Sequence, residues 1–243
     1  PYVHEASKAY HAEFQLACES PTGDLEVEPT SHSAHPVPGP DQVSSVVQSF
    51  VGALAQTPPI SSAIKVAGKR AYDLARSGRS VEIPTRNVQI HSMQVIRFEY
   101  PRLELKIVCG TGTYIRTLGM DIARALDTVA VMTKLTRTSV GEFHLSDAAT
   151  VDQIRKIPLE SLLAPAARGV AHLPTVVVTP EECQQLRDGK RLSDRQTRPP
   201  KSPTATTQGP AEHVAALTAD GYLQAVVIHR AGQWCPKRVF PLR

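Results

Sequence analysis

Within its first 54 residues the chain changes hydrophobic period, from two residues to about 3.6, and this switch constrains the fold more than any other feature. Tyr10, Ala12, Phe14, Leu16 and Cys18 alternate with His11, Glu13 and Gln15, the pattern of a half-buried strand. From Asp41, read as an N-cap, Val43, Val46, Val47, Phe50, Val51 and Leu54 form one helical stripe. Residues 28–40, ending His35-Pro36-Val37-Pro38-Gly39-Pro40, separate the two as a loop. A chain that must bury both a strand face and a helix stripe is neither a pure bundle nor a pure sandwich. The expected class is mixed α/β (α+β), a mixed sheet with flanking helices.

The same alternation of periods continues. Pro58 and Pro59 are expected to stop the first helix. Ser62 to Val66 reads as extended, and Arg70 to Ser77 as a helix ended by Gly78. Val88 to Tyr100 reads as a strand with a cluttered pattern, and Leu103, Leu105 and Ile107 as a cleaner one. Gly110-Thr111-Gly112-Thr113 turns into a helix carrying Ile115, Leu118, Ile122, Ala125 and Leu126, and Val151 to Leu163 suggests another. Beyond residue 169 the pattern becomes short strands around turns, with a helix from Pro180 to Arg187 and a hairpin at Asp220-Gly221. Arg195 to Pro210, rich in Pro, Thr, Ser and Gln, reads as a disordered loop.

Composition excludes several classes. The sequence has no apolar run near the roughly 18 to 20 residues of a membrane helix. Its start is neither a signal nor a transit peptide, so a cytoplasmic protein is expected. The 4 cysteines are scattered and the 9 histidines show no zinc spacing beside them, so no metal is expected. A net charge of +4 permits a polyanionic partner without requiring one.

Three stretches carry a specific resemblance. Gln56-Thr57-Pro58-Pro59-Ile60-Ser61-Ser62-Ala63-Ile64-Lys65-Val66-Ala67-Gly68-Lys69-Arg70-Ala71-Tyr72-Asp73-Leu74-Ala75-Arg76 resembles Q-x-P-P-x-x-S-A-x-K-x-x-G-x-R-x-Y-x-x-A-R. Gly112-Thr113-Tyr114-Ile115-Arg116-Thr117-Leu118 matches G-T-Y-I-R-T-L, and Leu135-Thr136-Arg137-Thr138-Ser139-Val140-Gly141-Glu142-Phe143 resembles L-R-R-T-x-x-G-x-F. Lys8-Ala9-Tyr10-His11-Ala12 matches K-x-Y-x-A. All are similar to motifs of the bacterial tRNA pseudouridine synthase B family, which modifies a T-loop uridine.

The resemblance implies a pseudouridine-synthase-like catalytic domain over residues 1–168 and a small C-terminal RNA-binding, PUA-like β-barrel domain over 169–243. It also implies a cofactor-free isomerisation of a uridine flipped out of the T-arm of tRNA, by a protein that is a monomer when full length. Arg116 would pair with a covalently acting aspartate, Tyr10 would stack on the base, Tyr114 and Leu135 would line the pocket, and Lys65 would contact the RNA. Taken singly these residues have plainer readings: a core tyrosine, a solvated arginine, a core leucine, a surface lysine.

The family's G-H-x-G-T-L-D-P segment, with its nucleophilic aspartate, is not found in these residues. The expectation is a chain truncated at its start. Asp24, after a Pro-Thr-Gly turn, and Asp121 read as a turn residue and a helix-face residue, and neither is assigned as nucleophile. Ser61, Val131 and Thr136 depart from the family pattern. The alternative is a non-catalytic RNA-binding or RNA-remodelling protein.

Overall fold

The structure, a computed structural model, describes residues 2–32, 34–59, 65–66, 69–70, 83–193, 197–198 and 213–240. The chain divides into two compact units: Ser7–Thr138, and Pro1–Ala6 together with Ser139–Arg243. Each is described separately.

The first unit is built on an antiparallel sheet whose centre is β1 (Lys8–Leu16) paired to β8 (Arg102–Cys109). Their register sets Tyr10 opposite Ile107 and Phe14 opposite Leu103, apolar against apolar. On the other face His11 stands opposite Lys106, and Glu13 opposite Glu104. A one-residue slip would exchange the two faces, so burial of one face fixes the register. Outside β8 lie β7 (Arg86–Glu99) and then β4 (Gly52–Gln56); on the other side of β1 lies β9 (Ala130–Val140). A separate short ribbon follows β1, in which β2 (Cys18–Glu19) pairs with β3 (Thr30–Ser31). Beyond Thr138, β9 continues in the second unit, where Ser139 and Val140 pair with β10 (Phe143–His144).

The cluttered pattern of Val88 to Tyr100 now has a cause. The β7–β8 register shifts between Ile90 and Ser92 and again between Val95 and Arg97. Each irregularity resets the alternation, so the core-facing set runs Val88, Ile90, then Met93, Val95, then Phe98.

Helices α2 (Pro40–Ser49) and α3 (Ile115–Ala125) pack on the face of the sheet that carries Ala12 and Phe14, and they bring Val43, Val47, Ile115, Leu118 and Ile122 into one core. α3 buries positions 115, 118, 119, 122 and 123, the helical spacing the sequence predicts. The first helix differs from expectation. Its N-cap is Gly39, with Pro40 in the first turn, and it ends at Ser49 rather than running to Leu54. Gly52–Gln56 is instead strand β4, paired antiparallel with β7 from Gly52–Ile90 to Gln56–Arg86. Pro58 and Pro59 therefore end a strand. The expected helix at 70–77 lies outside the described residues apart from Arg70, which belongs by its backbone to a two-residue strand, Lys69–Arg70.

The second unit contains a curled five-stranded half-barrel sheet, in the order β11 (Thr175–Val177), β13 (Val214–Leu217), β14 (Leu223–Arg230), β15 (Gln233–Val239), β12 (Leu192–Ser193). Two apolar clusters form on it. One joins Val176, Val178, Val227 and Trp234 to Cys183 and Leu186 of α6 (Pro180–Arg187), whose start is fixed by a capping box between Thr179 and Glu182. The other joins Val170, Leu173, Ala215 and Val226 to Tyr2 from α1 (Tyr2–Glu5). The expected hairpin at Asp220-Gly221 is present, closed by Thr218 N–H to Tyr222 O at 2.9 Å. Residues 151–163 form two short helices, α4 (Val151–Lys156) and α5 (Leu159–Leu162), interrupted at Pro158, which cannot continue a helix. Of the expected loop at 195–210, only 197–198 lie among the described residues.

Helices packed on one face of a mainly antiparallel sheet, followed by a small β body, give the mixed α+β class that the sequence predicts. Among the described residues no helix is long and apolar enough to cross a membrane.

Candidate active site

Tyr114 is the N-cap of α3, with an extended backbone, and the chain reaches it through Gly112 at a φ of +85°. A residue with a Cβ is strained at that angle, and there the Cβ would also stand 3.4 Å from the Arg86 guanidinium carbon. The Arg86 guanidinium lies 4.9 Å from the Tyr114 ring centroid and donates to the Gly112 carbonyl. The ring is thus held by a cation–π contact and its loop by a charge-assisted hydrogen bond. From β4, the side chain of Gln56 grips the main chain of the same residue. Tyr114 N–H donates to Gln56 Oε1 at 2.8 Å, and Gln56 Nε2 donates to Tyr114 O at 3.1 Å.

Two residues on, Arg116 lies in the first turn of α3, which contains no acidic residue of its own. A cation at that end is disfavoured by the helix dipole. The conflict is relieved by Asp24, whose Oδ2 accepts from Arg116 Nη1. Both side chains are 16% exposed, so the pair is only weakly screened. The turn that carries Asp24 is pinned in three ways. Gly23 N–H donates to Ser20 O at 3.0 Å, Ser20 Oγ donates to Asp24 O at 2.6 Å, and Met132 N–H on β9 donates to Gly23 O at 3.0 Å.

The other Asp24 oxygen, Oδ1, accepts from Thr22 Oγ1 at 2.6 Å and from Glu26 N–H at 3.1 Å. Burial pushes the Asp24 carboxyl up, but the Thr22 hydroxyl, the Glu26 amide and the Arg116 guanidinium outweigh it. Its pKa falls below the ordinary carboxylate value. Both oxygens are engaged by donors, and a low pKa makes a poor nucleophile. The chemistry of Asp24 is that of a group that holds Arg116 in place.

Tyr10 is half-buried on β1, on the same face as Ala12 and Phe14, and packs against the core. α3 crosses this face closely: a Cβ on Gly119 would meet the Phe14 ring at 1.9 Å. The strand bearing Tyr10 and the helix bearing Arg116 therefore belong to one tightly packed layer. Two residues before Tyr10, Lys8 is 9% exposed and stands opposite Cys109. Burial lowers its pKa below the usual lysine value; the Cys109 thiol opposes this shift and Arg137 adds to it.

Leu135 on β9 is 41% exposed, which removes the core reading for it. Lys65 belongs by its backbone to β5 (Lys65–Val66), which pairs with β6 (Lys69–Arg70); its side chain lies outside the described residues, as does all of Ser61. Val131 is fully buried, and Thr136 lies along β9. Asp121 pairs with Arg124 at 2.7 Å on α3, as a helix-face residue does. Sequence reading missed Gln56 and Arg86 as supports of Tyr114, and Asp24 as partner of Arg116. The only signals were the place of Gln56 at the head of its motif and the awkward position of Arg116.

One group among the described residues has metal-ligand chemistry: His11, Glu13 and Glu104. It lies on the sheet face opposite Tyr10. Arg102 reaches Glu13 at 2.9 Å and Glu104 at 3.0 Å, and Lys134 reaches Glu13 at 3.3 Å. These cations already balance the carboxylates, so the group is an ion-pair network.

A profile described as TruB family pseudouridylate synthase (N terminal domain) matches residues 1–115. The chain is 33% identical over 269 residues to a tRNA pseudouridine synthase B of Rhodopirellula baltica, covering 99% of this chain and 77% of that protein. It is 34% identical over 247 residues to the protein of the same name from Dinoroseobacter shibae, covering 99% and 77%. Among solved structures, a Cbf5-Nop10-Gar1 complex contains a chain similar in fold, with a TM-score of 0.70 and 19% identity, covering 100% of this chain and 69% of that one. An H/ACA RNP bound to a substrate RNA containing 2′-deoxyuridine contains another, with a TM-score of 0.67 and 18% identity, covering 99% and 68%.

Proposed function

Because the chain belongs to the tRNA pseudouridine synthase B family, we propose that it isomerises a T-loop uridine of tRNA to pseudouridine. The observation that carries the reading is Arg116 at the head of α3, in its G-T-Y-I-R-T-L motif, held by Asp24 in the same unit as Tyr10 and Tyr114. The reaction is an isomerisation and balances without a co-reactant. The C1′–N1 bond of the uridine breaks, the base turns, a bond forms between C1′ and C5, and the proton on C5 is released while the freed N1 takes one up.

In this reading the target nucleotide leaves the T-loop stack, at a cost of a few kcal/mol. Tyr10 stacks on the base, a contact worth roughly 1 to 3 kcal/mol. Tyr114 and Leu135 line the pocket, and Lys65 contacts the RNA backbone. Arg116 pairs with the aspartate that acts covalently, for which its planar, permanently charged fork is suited. That nucleophile is assigned to no residue of this sequence, and Asp24 serves as the carboxylate that positions Arg116. RNA is the partner; the T-arm as its recognised element, a monomeric state and a cytoplasmic location belong to the proposal. So does the division into a catalytic domain over 1–168 and an RNA-binding PUA-like domain over 169–243.

The test is tritium release from tRNA labelled at C5 of uridine, measured with residues 1–243 and with any longer form of the protein that carries a G-T-L-D-P segment. Release lost when the T-loop uridine is replaced by cytidine supports the reading. tRNA binding without release by any form would favour the non-catalytic RNA-binding alternative. Release by residues 1–243 alone would overturn the positioning role given to Asp24 if an Asp24→Asn variant formed no product.

A further inference from the structure

Gln56 ends β4 and is 1% exposed, yet its carboxamide does not pack as a spacer. It makes the two hydrogen bonds with Tyr114 that a neighbouring strand would make, accepting from the N–H and donating to the carbonyl. That carbonyl also accepts from Leu118 N–H at 3.0 Å, the first bond of α3. Gln56 therefore fixes the residue at which an extended loop becomes a helix. Both the Tyr114 ring and, two residues later, the Arg116 side chain leave the backbone at angles set there.

We propose that Gln56 is a positioning residue for the isomerisation: it touches no substrate and acts through the main chain of Tyr114. The assignment rests on the synthase reading. Any polar pair could satisfy buried groups. Positioning makes a sharper demand, that turnover follow the donor and acceptor pattern of residue 56 in protein that remains folded.

Gln56→Glu supplies the discriminating variant. Its neutral acid has the shape of glutamine and reproduces both bonds, the carbonyl accepting and the hydroxyl donating. Its carboxylate keeps only the acceptor and faces the Tyr114 carbonyl. Burial and that carbonyl both oppose ionisation, so the pKa of this side chain stands above the ordinary glutamate value of about 4.3. The protonated, functional form is then present at low pH and lost as pH rises through that pKa.

The experiment is tritium release by the full-length protein at saturating tRNA, from pH 5 to pH 9, for the unsubstituted protein, Gln56→Glu and Gln56→Met. Each is assayed below its own melting temperature. The expected result is a Gln56→Glu kcat close to that of the unsubstituted protein at pH 5, falling by about 100-fold relative to it as pH rises. That factor is typical of an ångström-scale misplacement. Gln56→Met should be low at every pH, with KM little changed. A Gln56→Met kcat within about twofold of the unsubstituted protein overturns the assignment, as does a Gln56→Glu deficit that is the same at pH 5 and pH 9. Inactivity of the unsubstituted protein at every pH is a separate failure, because it removes the synthase reading itself.

Discussion

Arg116 occupies a position that the α3 dipole disfavours, and Asp24, 92 residues away in sequence, makes it tolerable. The pair is ordered from both ends: Asp24 by the Thr22 hydroxyl and the Glu26 amide, Arg116 by its place on a packed helix. Asp24→Asn keeps the shape and removes the charge. The expected outcome is a kcat lower by about 100-fold with tRNA affinity little changed, read from single-turnover kinetics and filter binding. The same substitution changes the acid limb of stability. The folded pKa of Asp24 is depressed, so its contribution is full above the unfolded value of about 3.9 and is lost as pH falls through the lower folded value. Urea unfolding between pH 5 and pH 2 should therefore weaken less steeply in Asp24→Asn than in the parent.

Among elements, α3 and β1 approach closely in the first unit. Gly119 admits the Phe14 ring where any Cβ would overlap it, and Phe14 is 1% exposed, with no room to swing away. Gly119→Ala improves helix propensity by about 1 kcal/mol, but overpacking of this kind typically costs about 1 to 3 kcal/mol. A net loss of stability is expected, measured by urea denaturation, with activity falling further as the helix bearing Arg116 lifts from the strand bearing Tyr10. A Gly119→Ala variant as stable as the parent would show that the layer is looser than described. Elements were legible in the sequence where one period ran uninterrupted, as in β1, α3 and α6. They were misread where two periods met. Val51 and Leu54 continue the stripe of α2 by spacing alone, although the chain has already turned into β4. The site was legible as far as motifs carry side chains, which gave Tyr10, Tyr114 and Arg116. Its supports come from residues 58, 28 and 92 positions away from the groups they hold (Gln56 with Tyr114, Arg86 with Tyr114, Asp24 with Arg116). No local periodicity records such pairings.

At the scale of the whole molecule, one buried titratable group bears on the stability of the second unit. Burial lowers the pKa of His172, against the opposing pull of Glu5, and its buried Nε2 has no hydrogen-bond partner among the described residues. As pH falls below about 6.5 the unfolded chain takes up a proton that the folded one resists. The second unit should therefore lose stability from about pH 6.5 downward. The chain's single tryptophan, Trp234, lies in that unit and reports it selectively by fluorescence. A urea midpoint from Trp234 that drops between pH 7.5 and pH 5.5, and drops less in His172→Gln, is the expected outcome. A midpoint independent of pH would count against it.

That second unit takes in residues 2–6: the Tyr2 ring sits 5.6 Å from the His213 ring and packs in the cluster of Val170, Ala215 and Val226. During translation at roughly 5 to 20 residues per second, Tyr2 is made roughly 10 to 40 s before His213. The described strands of the Ser7–Thr138 unit are translated well before then. The residues around Tyr2 therefore wait for partners not yet synthesised. A chain stalled before residue 213 would leave Tyr2 without His213 and without the Ala215 and Val226 side of its cluster.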